Sequence, residues 1–167
     1  MNITGYKISE AIDQHRLKLD ALNTEFTDSL TTFEGDAKRK PSEVSAEIVL
    51  EERAIADLQT VQARFNLAVK VDVLGDSMTL MQAIKRKGGV GRVGKLWKGA
   101  VPVKSRYDGI RTTDQIIAKP QVTQTEVTRA VSMASRSERA MQAAIAMANA
   151  QHVEIDGIDP SLFEVSV

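Results

Sequence analysis

Apolar positions along the first part of the chain return every three or four residues. Ile8, Ile12, His15, Leu19, Leu22, Phe26, Leu30 and Phe33 fall on one stripe of a helix over about 7–33. The steps resemble a heptad seam, which predicts a coiled-coil-like partner. Glycine, proline and charge break the pattern at Glu34 to Pro41, so this stretch reads as a connector. Ser42 is placed to cap a second helix over 42–71, with Val44, Ile48, Ile55, Leu58, Val61, Phe65 and Ala68 or Val69 as its stripe. Two helices of similar length and a short polar link predict an antiparallel hairpin with arms of roughly 40 Å.

Leu74-Gly75-Asp76-Ser77 reads as the end of that helix and the start of a third over 77–98, with Met78, Leu80, Met81 and Ile84 as its apolar positions. Gly88, Gly89, Gly91 and Gly94 then intervene, each costing roughly 1 kcal/mol against alanine in a helix. The segment is a helix throughout, or a helix followed by a glycine-rich loop. Pro102, Gly109 and Pro120 make 99–122 irregular or extended, with room for a short β-hairpin. Thr123 and Glu126 have capping-box spacing and open a last helix over 123–151, whose face is Val127, Val131, Ala134, Met141, Ile145 and Ala148. Residues 152–167 form a tail. The expected fold is all-α: a single helical domain over 1–167, with a long hairpin, a shorter third helix and a C-terminal helix.

Composition agrees with helices. Apolar residues make up 43% of the chain, yet it has only one Trp, two Tyr and four Phe, so the core is aliphatic. Cysteine is absent, which excludes disulfides and thiolate chemistry. No signal-peptide-like run begins the sequence, and nowhere do eighteen apolar residues follow one another. These features predict a cytoplasmic protein of a bacterium or a phage-infected bacterium, with no membrane partner. A thin hairpin leaves one apolar side uncovered, which predicts a homo-oligomer.

The formal charge of zero hides an asymmetry. Between Lys85 and Arg111 lie nine basic residues and one acid, Asp108, so this window is +8 and the rest of the chain −8. Such segregation creates a positive potential that attracts phosphates. Trp97 and Tyr107 fall inside the window and offer faces for a nucleotide base. The candidate ligand-binding residues are Lys85, Arg86, Gly89, Gly91, Arg92, Gly94, Lys95, Trp97, Arg106, Tyr107 and Arg111. Gly89, Gly91 and Gly94 spell GxGxxG, and Gly89 to Lys95 spells GxxxxGK. Both motifs require a preceding strand, and Leu96 stands where a P-loop has Ser or Thr. A P-loop is therefore not expected, although glycines can expose amides to an anion without that fold. The plainer alternatives are a solvated basic loop, or a strip that neutralises the acidic hairpin of a neighbouring subunit.

Several short stretches, in order, resemble the septicolysin-like family of small helical bacterial and phage proteins. They are Phe65-Asn66-Leu67-Ala68, Gly75, Thr79-Leu80-Met81-Gln82-Ala83-Ile84 with Lys85-Arg86, and Arg106-Tyr107-Asp108-Gly109-Ile110-Arg111-Thr112 with Ile116. The resemblance spans most of 7–151 and implies an all-α fold with a helix through the third segment. Glycines 88, 89, 91 and 94 depart from the helix formers of that pattern. The family name implies a cytolysin, but no residue here supports pore formation.

Other candidates are weaker. His15 lies on the apolar stripe, where a satisfied core or interface histidine is the simplest reading. His152 follows the last helix, and two histidines without cysteine make no metal signature. Glu51, Glu52, Glu10 and Asp13 read as exposed helical charges. Ser132, Ser135 and Ser137 have no activating histidine at useful spacing. The function expected is that of a non-catalytic, cofactor-free homo-oligomer that binds or sequesters a nucleotide-like anion; in an infected cell it would act as a phage sponge. An interaction protein using its apolar stripe is the alternative. Sequence-independent nucleic-acid binding through the same window is a second, which overall neutrality and the acidic remainder make less attractive.

Overall fold

The computed structural model describes residues 1–33, 38–100 and 121–164. The fold is all-α with short strand pairs. In order, the elements are β1 (Asn2–Ile3), α1 (Gly5–Ser29), α2 (Pro41–Ala68), β2 (Lys70–Val73), β3 (Asp76–Thr79), α3 (Leu80–Gly99), α4 (Gln124–Asn149), β4 (Val153–Glu154) and a 3-10 turn at Pro160–Phe163. The chain divides into two compact units. The first comprises Met1–Lys70, Thr79–Met81 and Ala146–Val167; the second comprises Val71–Met78 and Gln82–Ile145.

The first unit is built on the antiparallel pair α1 and α2. Its register is fixed by three contacts: Gly5 faces the Phe65 ring, Ser9 bonds Gln62, and His15 bonds Glu51. Ile8, Ala11, Ile12 and Leu22 meet Val44, Ile55, Leu58, Val61 and Phe65 in an aliphatic core, as the two stripes predict. Thr4 caps α1, its hydroxyl accepting from the Lys7 amide at 3.2 Å.

Helix ends differ from expectation. α1 stops at Ser29, so Leu30 and Phe33 lie beyond it and are exposed. α2 begins with Pro41 in the first turn, where a missing N–H costs nothing, and Ser42 lies inside the helix instead of capping it.

The C-terminal segment closes this unit. β4 pairs antiparallel with β1, Ile3 opposite Val153. Met1 and Ile155 exchange two backbone bonds of 2.8 and 2.9 Å. Arg64 donates to the Asp156 carbonyl at 2.7 Å, and the Lys7 ammonium stands 5.7 Å over the Phe163 ring. The tail is therefore a packed part of the unit, with Ile155 in its core.

The strands β2 and β3, which belong to the second unit except for Lys70 and Thr79, form a hairpin where the sequence pattern predicts helix at 70–71 and 77–79. Val71 and Val73 are buried while Lys70 and Asp72 are exposed, the period-two alternation of a half-buried strand. Leu74 and Gly75 make the two-residue turn, with φ of 54° and 92°. The irregular segment expected over 99–122 lies for its main part outside the described residues.

α3 runs without interruption from Leu80 to Gly99 through all its glycines. Of the two forms expected for this segment, the uninterrupted helix is the one observed. One of the glycines is explained by α4: a Cβ on Gly94 would stand 3.3 Å from that of Ala134, whereas one on Gly91 would meet the Glu138 carboxylate at an ordinary 3.5 Å. At Gly94 the missing side chain leaves room for Ala134 of α4, which offsets part of its poor helix propensity. α4 opens with the predicted capping box, the Thr123 amide donating to Glu126 at 2.7 Å and the Glu126 amide to Thr123 at 3.2 Å.

Candidate functional site

α3 holds six basic residues, Lys85, Arg86, Lys87, Arg92, Lys95 and Lys98, and no acidic one. Lys85, Arg86, Arg92, Lys95 and Lys98 are exposed, and Lys87 is half-buried. Helical spacing places Lys85 and Arg92 on the side away from buried Leu80, Ala83 and Gly94, with Lys95 on the flank next to Arg92. Among the described residues, the one ion pair on this helix joins Arg86 to Asp76 at 3.4 Å, between side chains that are both exposed. Exposed pairs of this kind contribute about 0–1 kcal/mol, so Arg86 stays available to another anion. Trp97 is half-buried on the same helix.

Contrary to the expectation from their spacing, Gly89, Gly91 and Gly94 do not form an amide cradle for phosphate. Inside a helix their N–H groups are directed at carbonyls four residues back, and only the first turn of a helix offers free amides. Gly91 and Gly94 also face α4, whose Glu138 carboxylate would repel an anion at Gly91. Any anion binding by α3 therefore rests on side chains. Arg106, Tyr107 and Arg111 lie outside the described residues.

A second polar cluster, in the first unit, escaped the sequence pattern. Glu51 is buried on α2, not exposed. Its Oε2 lies 2.6 Å from His15 Nδ1 and its Oε1 lies 3.0 Å from Lys18 Nζ. The other histidine nitrogen, Nε2, lies 3.0 Å from the Leu162 carbonyl oxygen. Burial alone would raise the Glu51 carboxyl, but hydrogen bonds from His15 and Lys18, with their charges, outweigh it and hold the group below the ordinary carboxylate range. Both ring nitrogens of His15 are engaged, so neither is left to take a proton from a substrate. The cluster ties α1, α2 and the tail together, as the reading of His15 as a satisfied core residue predicts. Helical spacing put Glu51 seven residues from Val44 and four from Ile55, on the buried side. That spacing was the available signal.

No group of three or more potential metal-ligating side chains occurs among the described residues. None of their helices is long and apolar enough to cross a membrane.

A solved structure shares this fold. It is the crystal structure of a functionally unknown conserved protein from Corynebacterium diphtheriae, matched with a TM-score of 0.68 at 18% identity over 92% of this chain and 100% of that one. At this identity the likeness concerns the fold alone. No family model matches the chain, and no curated protein matches it significantly.

Proposed function

We propose that this chain is a non-catalytic, homo-oligomeric binding protein whose second unit holds a phosphate-bearing anion through the cations of α3. The supporting observation is a 20-residue helix with six basic side chains, no acidic one, and a single weak ion pair among the described residues. The unit as a whole has 13 basic and 6 acidic residues, a net charge of +7, against 9 basic and 16 acidic in the first, a net charge of −7. A field of this sign raises the local concentration of anions and speeds their capture.

A single helix is convex and does not enclose a small molecule. A sheltered nucleotide site would form where the α3 helices of two copies face each other, so the homo-oligomer belongs to the proposal. Gly88 and Gly89 suit such an approach: no side chain but that of Arg92 lies within 4 Å of a Cβ built on either.

Trp97, the single tryptophan, reports on the helix directly. Titration of its fluorescence with ADP-ribose and cyclic nucleotides should saturate, and Arg92→Ala with Lys95→Ala should weaken binding about tenfold or more. No response to any nucleotide would reject the proposal. A second reading is favoured by the same convexity: an extended polyanion such as single-stranded nucleic acid could lie along the exposed face. Binding of an oligonucleotide that falls steeply with salt, with no nucleotide binding, would select it.

A further inference from the structure

The first unit holds a cavity of about 460 Å³ between α1 and α2, in the size range of small-molecule sites. Ser9, Asp13 and Arg16 line it from α1, and Gln59, Gln62 and Asn66 from α2. Spacings of three, four and seven put each set on one side of its helix, so both walls are polar. Buried Ile12, with Ala63 and Met81, supplies the apolar part.

The lining has one carboxylate and one guanidinium and is therefore neutral. It offers no surplus of cations for phosphates, unlike α3, and too little apolar surface for a hydrocarbon. Its opposite charges are adjacent: Arg16 Nη1 lies 3.4 Å from Asp13 Oδ1, with both side chains more than half exposed. Such a pair is weakly held and opens at small cost. A free α-amino acid carries an ammonium and a carboxylate on the same carbon, so its two opposite charges are as close together as those of this pair and complement them. Three primary amides beside it supply both donors and acceptors. The Gln62 amide is already oriented, donating to Ser9 Oγ at 3.2 Å, which leaves its carbonyl oxygen to receive a donor.

We infer that this cavity binds a free α-amino acid with an uncharged polar side chain, its carboxylate on Arg16, its ammonium on Asp13 and its side chain against Gln59, Gln62 and Asn66. The inference does not rest on anion binding by α3.

Isothermal titration of the full chain with L-glutamine tests it. Saturable binding is expected, weakened about tenfold or more by Arg16→Gln and by Gln59→Leu, an exposed position whose change spares the core. N-acetylglutamine, with its ammonium blocked, should bind at least tenfold more weakly, and Lys85→Ala should leave L-glutamine binding unchanged. Absence of saturation by L-glutamine, or equal binding of N-acetylglutamine, would overturn the inference. Loss of glutamine binding in Lys85→Ala would overturn it too, because the ligand would then sit on the cationic helix.

Discussion

Glu51 Oε2 and His15 Nδ1 lie 2.6 Å apart in the interior of the helical hairpin, 36 residues apart in sequence. Removing one partner of a buried pair leaves the other without compensation, at a cost of about 3–5 kcal/mol. Glu51→Ala should therefore lower stability by about 3 kcal/mol in urea denaturation, and Lys18→Met by less, because Lys18 is one-third exposed. The Glu51 carboxyl is depressed in the folded chain, so the folded state takes up its proton less readily than the unfolded state. Its contribution is then complete above the ordinary carboxylate range and is lost as pH falls through the folded value. Between neutral pH and pH 3 the native chain should lose more stability than Glu51→Gln. Equal losses would show that this carboxylate does not govern acid sensitivity.

Gly5 begins α1 where Phe65 and Asn149 converge. A Cβ there would stand 2.9 Å from the Phe65 ring and closer still to the Asn149 amide. Gly5→Ala should destabilise the first unit by about 1–3 kcal/mol, the usual cost of overpacking. Thermal denaturation followed by circular dichroism measures it.

Leu74 occupies a position meant for another residue type. With φ of 54° and its side chain exposed, it is in the left-handed region, at a cost of roughly 1–2 kcal/mol for most residues. Leu74→Asn should raise stability by about 1 kcal/mol, and an unchanged or lowered melting temperature would contradict that reading.

The glycines of α3 should separate into two groups. Gly89 has open space around it, so Gly89→Ala should stabilise the helix by about 1 kcal/mol. Gly94→Val should destabilise the second unit, because Ala134 already limits the gap. If α3 also meets a second copy at Gly89, the alanine variant will be more stable yet less oligomeric, which sedimentation at matched concentrations would show.

The helical hairpin was legible in the sequence because its aliphatic stripes are long and regular, and the Thr123–Glu126 box marked the start of α4 to within a residue. The β2–β3 hairpin was not. Its turn is Leu-Gly, whereas a turn with positive φ at both positions is ordinarily announced by Asn-Gly or Asp-Gly. Continuity of α3 was ambiguous for a related reason: propensity counts each glycine as a loss, and only the contact with Ala134 gives one of them, Gly94, a purpose. The candidate site was legible as charge but not as shape. Segregation of Lys85 to Lys98 is plain in the sequence, yet the glycine spacing suggested an amide cradle that a continuous helix does not provide. The Asp13–Arg16 pair and the amides of α2 carried no motif, since they meet only once two helices pack.

Binding of a phosphate-bearing anion by the cations of α3, between copies of the chain, is open to native mass spectrometry of protein purified at low salt. The expected species is an oligomer carrying a bound phosphate compound, with bound mass and assembly both diminished in the Arg92→Ala, Lys95→Ala variant. A bare monomer that stays bare after incubation with nucleotides would rule this binding out.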